Sequence, residues 1–163
     1  MDTYVFTLAN QEDAFKILNF YHSLIGTPGC TWDLDYPNEE IVRQDILRKS
    51  LYLLKEDNEI ISVAFAGVGD ELQELKWMSK NPCDIARFGV LYSKQNQGIG
   101  LLMLNKIIAT IKERGFDGIR MIVRKDNWSA LTLYDKNGFV RCGETSMYNL
   151  DFHCYEMVFD TPE

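Results

Sequence analysis

The hexapeptide Gln95-Asn96-Gln97-Gly98-Ile99-Gly100 places two glycines between an apolar, strand-like run at 85–91 and an amphipathic helix predicted to start near Leu101. Glycine lets a ligand approach the backbone where a side chain would block it. The unpaired N–H groups and the positive dipole end of the following helix point at the same spot. Such a turn binds phosphate. A Walker loop needs Gly-Lys-Ser/Thr, but Leu101-Leu102 follow Gly100, so lysine and magnesium ligand are both missing. A dinucleotide fingerprint needs a third glycine at position 103, where the chain has Met103. Taken alone, the hexapeptide also fits an ordinary glycine turn.

Other residues carry proton chemistry. Tyr134 follows Asn127 by seven residues, about two helical turns, so both face one side of a helix. A phenol with pKa near 10 stays protonated at neutral pH and can donate to a departing anion. Asp84 stands eleven residues before Gln95 at the start of the apolar run. The Gly-, Pro- and Asp-rich segment 26–37 holds Trp32, Asp33, Asp35 and Tyr36, with Glu39 and Glu40 just beyond. Aromatics with carboxylates suit a cation. Each residue also has a plainer reading: a packed tyrosine, a helix N-cap at Asn127, a solvated strand-end carboxylate, a solvated loop around one buried tryptophan. Cys30, Cys83, Cys142 and Cys154 form no CxxC pair and His22 and His153 stand alone. This is no zinc pattern, and buried reduced thiols are expected.

The elements that must position these groups follow from periodicity. Residues 4–8 read as a first strand and 11–25 as a helix. Asn38 can cap a second helix to about Lys49. Residues 51–54 and 60–68, joined by a polar turn, form a hairpin. The polar stretch 70–81 can form a helix. After the glycine turn, Leu104, Ile107, Ile108 and Ile111 keep i, i+3, i+4, i+7 spacing, and Gly115 ends that helix. A strand at 119–123, a short helix capped by Asp126 or Asn127 and stopping at Asn137-Gly138, and strands at 139–142 and 153–159 complete the chain. The order β-α-α-β-β-β-α-β-α-β-β describes a mixed α/β domain, predicted to span 1–163 as one unit.

Composition narrows the function. Of 163 residues, 46% are hydrophobic and 12% aromatic, enough for a packed core. No apolar run approaches the roughly 20 residues of a membrane helix, and the N-terminus has no secretory pattern, so a cytoplasmic location is expected. A net charge of −7 lacks the basic footprint of a nucleic-acid binder. It serves solubility, or draws cationic small molecules.

From 84 to 144 the chain resembles the GNAT superfamily of N-acetyltransferases. The family's acetyl-CoA signature, Gln/Arg-x-x-Gly-x-Gly/Ala, is met at every fixed position of Gln95–Gly100. Residues 86–90 resemble the preceding strand, and 123–130 with 133–139 resemble the next strand and helix, including the Asn…Tyr…Gly-Phe block. The family often has proline at position 92, where this chain has Tyr92. The N-terminal half matches by element order only. The resemblance implies a mixed, mostly antiparallel sheet of about seven strands flanked by about four helices. It implies that the main-chain N–H groups of Gln97, Gly98, Ile99, Gly100 and Leu101 hold the pyrophosphate of acetyl-CoA, with Gln95 and Asn96 at the loop mouth and no metal. The strand from Phe88 to Val90 would splay from its neighbour and pair with the pantetheine arm, the Val90 N–H facing the thioester oxygen. Tyr134 becomes the general acid and Asn127 a cofactor contact. Asp84 becomes the base, acting through a water, with Glu74 as fallback. The acceptor is expected to be a small-molecule or peptide primary amine near Trp32, Asp33, Asp35 and Tyr36; homodimers are common in the family. Two alternatives stay open: a CoA-binding sensor or structural module without turnover, and a tRNA-acetylating toxin, which expects a basic face this chain lacks.

Overall fold

A computed structural model describes residues 3–73 and 75–160. Strands β1 (Tyr4–Leu8), β2 (Leu51–Glu56), β3 (Glu59–Gly67), β4 (Pro82–Val90), β5 (Gly118–Arg124), β6 (Val140–Met147) and β7 (Leu150–Val158) form one sheet in the order β1-β2-β3-β4-β5-β7-β6. Helices α1 (Ala14–Leu24), α2 (Glu39–Leu47), α3 (Ile99–Glu113) and α4 (Trp128–Lys136) accompany it. The predicted seven strands and four helices are present, and the sheet is antiparallel except at β4–β5.

The middle strands are apolar on both faces because both faces are covered. Leu51 and Leu53 of β2 pack with Ile17, Tyr21 and Leu24 of α1 and Val42 and Ile46 of α2. Tyr52 and Leu54, alternating with them, join Met103, Leu104, Ile107 and Ile111 of α3 and Leu131 and Tyr134 of α4. Side chains of period two thus build two cores, one on each side of the sheet. Local signals set the helix ends. The Asn38 side chain accepts from Ile41 N at 2.9 Å, as expected of the cap of α2. Gly98, in the left-handed conformation, stands at the N-cap of α3, which begins two residues earlier than predicted.

The stretch 70–81 departs from expectation. Among its described residues there is no helix; it is a loop tied to the sheet by carboxylates. Glu156 of β7, buried, accepts from the main chain of Met78 at 3.0 Å and Ser79 at 2.8 Å. Asp117 accepts from Lys80 N, Asn81 N and the Ser79 hydroxyl. The β6–β7 turn also comes earlier than predicted, at Tyr148 and Asn149, both with positive φ. Cys83 and Cys154 are buried free thiols, Cys30 is half-buried, and Cys142 lies exposed on β6 rather than buried as predicted. No helix among the described residues is long and apolar enough to cross a membrane.

Candidate active site

A short parallel ladder opens the cleft. Strands β4 and β5 pair only where Pro82, Cys83 and Asp84 face Gly118, Ile119 and Arg120; beyond that they part. Farther along β4 there is a bulge: Gly89 faces Val63 while Ala86 faces Phe65, so β4 carries one extra residue. Arg87 sits there at φ 49°. A bulge bends its strand and re-aims the residues beyond it. The resulting cleft, about 330 Å³, is lined by Phe88, Gly89 and Val90 of β4, by the turn into α3, and by Asn127, Ser129, Ala130, Leu133 and Tyr134. Residues 27–32 close its third side. A Cβ added to Gly29 would stand 3.6 Å from Asn127 Oδ1 and 3.7 Å from Ser129 Oγ, so this loop reaches across to α4.

The glycine turn has the geometry of an anion cradle. Gly98 has φ 83°, which strains any residue with a Cβ, and a Cβ there would meet no atom within 4 Å. The position therefore borders open space. The N–H groups of Ile99, Gly100 and Leu101 are the first of α3 and precede its i→i−4 ladder, which begins with Leu102 N to Gly98 O at 3.0 Å. Fifteen residues of aligned peptide dipoles stand behind them. Gln95 Nε2 donates to Val90 O at 3.0 Å, tying the turn to the strand. Gln95, Asn96, Gly98, Gly100 and Leu101 line the cleft. Gln97 does not: its amide folds back onto Ser93 O at 3.0 Å. Ile99 buries its side chain in the α3 core, leaving only main chain to act.

Tyr134 lines the cleft although only 4% exposed. Its ring packs edge-on against Phe139 at 5.3 Å and lies 5.9 Å from Tyr155. Among the described residues its hydroxyl has no hydrogen-bond partner. Burial pushes the phenol's pKa well above its ordinary value, so the proton stays on. Asn127 lines the cleft and caps α4, its side chain accepting from Ala130 N at 3.4 Å. The next residue on α4, Asp135, fastens the helix to the sheet through Arg141 and the Tyr155 hydroxyl.

Asp84 is placed differently. It is 4% exposed, does not line the cleft, and has both oxygens engaged, one by Arg120 Nε at 2.5 Å and the other by Gly69 N at 2.9 Å. Burial pushes its carboxyl above the ordinary range, opposed by the Arg120 and Gly69 hydrogen bonds. Glu74 lies outside the described residues.

The 26–37 loop separates its members. Trp32 lines the cleft, packs edge-on against Tyr21 at 5.0 Å, and presses on Gly89, where a Cβ would come within 3.1 Å of the indole. Asp33 is spent on its own turn, accepting from the main chain of Asp35 and Tyr36. Glu39 pairs with Arg43. Tyr36 accepts from Arg87 Nη1 at 3.1 Å. Two residues near Tyr36 had no sequence signal. Tyr148, 75% exposed at the tip of the β6–β7 hairpin, donates to Glu71 of the β3–β4 loop at 3.2 Å. The Glu71 carboxylate, with a smaller influence from Tyr36, raises the Tyr148 phenol. Glu71 and Tyr148 thus meet from two loops, with Tyr36 near enough to bear on the phenol. Among the described residues no group of three or more His, Cys, Asp or Glu is placed to hold a metal ion.

Comparison with known proteins bears on the fold. The model of the acetyltransferase (GNAT) family matches residues 14–139. The chain is similar in structure to a GNAT-family acetyltransferase from Streptococcus agalactiae, with TM-score 0.80, 19% identity, and coverage of 97% of this chain and 96% of that one. It is similar to the ribosomal-protein-S18-alanine N-acetyltransferase from Escherichia coli, with TM-score 0.78, 15% identity, and coverage of 99% and 97%. A third similar structure is PaiA N-acetyltransferase from Thermoplasma acidophilum in complex with coenzyme A, with TM-score 0.74, 16% identity, and coverage of 96% and 99%.

Proposed function

This chain belongs to the acetyltransferase (GNAT) family, and from that membership we propose that it moves an acetyl group from acetyl-CoA to a primary amine by direct attack on the thioester. Acetyl-CoA-dependent N-acetylation is the family's general activity. The observation that carries the proposal is Tyr134, an almost fully buried residue whose unpartnered hydroxyl shares the cleft with the open edge of β4 and the Gly98–Gly100 turn. The cradle fits the pyrophosphate of CoA, which the main-chain N–H groups of Gly98 to Leu101 would hold. Bound there, the cosubstrate supplies an acetyl thioester.

Protein groups would then act on the bound reactants. The main chain of Phe88–Val90, unpaired by β5, would hold the pantetheine arm, with the Val90 N–H as donor to the oxygen on which charge develops. A preorganised donor of this kind contributes about 3 kcal/mol. Tyr134 gives its proton to sulfur as the carbon–sulfur bond breaks and the carbon–nitrogen bond forms, and the proton that the acylated nitrogen sheds restores the phenol through solvent. The amine must arrive neutral, its ammonium proton passing to Asp84; because Asp84 is buried and does not line the cleft, this role requires a bridging water. Trp32, Tyr36, Glu71 and Tyr148 form the approach for a cationic amine, small molecule or peptide.

One observation favours a second reading, a CoA-binding module without turnover: both oxygens of Asp84 are already engaged. Release of free thiol from acetyl-CoA across a panel of primary amines separates the two. Amine-dependent thiol release supports the transferase. CoA binding with no release for any amine supports the module, and no CoA binding at all removes both.

A further inference from the structure

The wall of the cleft depends on a residue that does not face it. Arg87 occupies the bulge of β4 in the left-handed conformation, an unfavourable state for a residue with a Cβ. The remainder of the residue is clamped. Its guanidinium forms a two-pronged pair with Asp45 of α2, Nε to Oδ2 at 2.8 Å and Nη2 to Oδ1 at 2.9 Å. The third nitrogen donates to the Tyr36 hydroxyl at 3.1 Å. The face of the group lies 4.6 Å from the centre of the Phe65 ring. Its carbonyl accepts from the Tyr21 hydroxyl of α1 at 3.2 Å. Downstream, Gly89 O accepts from the buried Ser62 hydroxyl at 2.7 Å and Val90 O from Gln95.

We propose that Arg87 and Asp45 are positioning residues: their ion pair fixes the bulge, and the bulge aims the Phe88–Val90 main chain into the cleft. The inference rests on the transferase reading above. Three features carry it. The pair lies immediately before the segment it governs. The planar two-pronged contact fixes the orientation of the guanidinium, which a lysine ammonium would not do. Asp45 is 4% exposed and outside the cleft lining. A buried ion pair is weak evidence for stability, so the geometry it enforces is the better account of it. The pair also joins α2 and the Tyr36 loop to the donor strand, so the acceptor side and the thioester side share one fixed point.

The test uses the full chain with Asp45→Asn, Arg87→Lys and Asp45→Glu. Turnover is measured with an amine found in the panel, CoA affinity by calorimetry, and amide hydrogen exchange by mass spectrometry over residues 86–91. In Asp45→Asn and Arg87→Lys we expect kcat to fall about tenfold and exchange at Gly89 and Leu91, the residues of this segment that pair with β3, to quicken about tenfold, with CoA affinity within about twofold. Protection in α3 should hold. Asp45→Glu, which keeps two carboxylate oxygens, should recover part of the rate. An unchanged kcat, or quickened exchange confined to α2 with Gly89 and Leu91 still protected, overturns the proposal. If the unaltered protein acetylates no amine, the transferase reading fails separately, and the exchange at Gly89 and Leu91 alone decides whether the pair sets this segment.

Discussion

The turn into α3 and the Tyr36–Glu71–Tyr148 cluster meet different problems with different materials. The turn presents main-chain N–H groups on a fifteen-residue helix, with glycine at φ 83° bordering open space. The cluster presents side chains from three loops, with Tyr148 three-quarters exposed. In the proposed function, a ligand group common to every reaction cycle is served by backbone, which no side-chain substitution can remove. The proposed acceptor, a variable partner, is served by side chains, which can change without disturbing the sheet. The first should therefore fail only when space is filled, and the second should fail gently, residue by residue.

The harshest way to break that contrast is Gly98→Trp. The indole enters the space beside the first turn of α3, and CoA affinity should fall at least about 100-fold by calorimetry, about 2.7 kcal/mol. Retained affinity would remove the cradle assignment. Tyr134→Phe comes next: kcat should fall about 100-fold while CoA affinity stays within about twofold, the split expected of a proton donor. Smaller again is Glu71→Gln, which should raise KM for a cationic amine about fivefold and leave CoA affinity alone. An equal effect on CoA would mean that the two regions are not separate. The mildest test is pH. Burial raises the Tyr134 pKa, so its acid form persists as pH rises, and kcat at saturation should show no alkaline decline below about pH 10. A decline below that, absent from Tyr134→Phe, would show that the phenol ionises earlier.

The same contrast explains what the sequence disclosed. Gly98, Gly100, Asn127 and Tyr134 sit on one turn and one helix, so their spacing survives in the linear chain. The apolar runs of β2 and β3 and the Asn38 cap were equally local. Asp84 was found as a carboxylate, but Arg120 lies 36 residues away on β5, and nothing local announces that pairing. Loop 70–81 looked helical from its polar composition. Its hydrogen bonds go instead to Asp117 and Glu156, partners far along the chain. Arg87 gave no signal because its positive φ comes from a bulge defined against β3, and Glu71 met Tyr148 only through folding.

The brief β4–β5 ladder has a thermodynamic consequence. With three residues joining two halves of the sheet, β4 beyond Asp84 lacks a neighbour on one side. A ligand lying along it acts as a missing strand, restoring main-chain bonds that the fold itself leaves unmade. The folded state gains what the unfolded chain cannot. At a concentration 100 times its Kd, such a ligand adds about 2.7 kcal/mol to the free energy of unfolding. The protein should melt at a distinctly higher temperature when the cleft is filled.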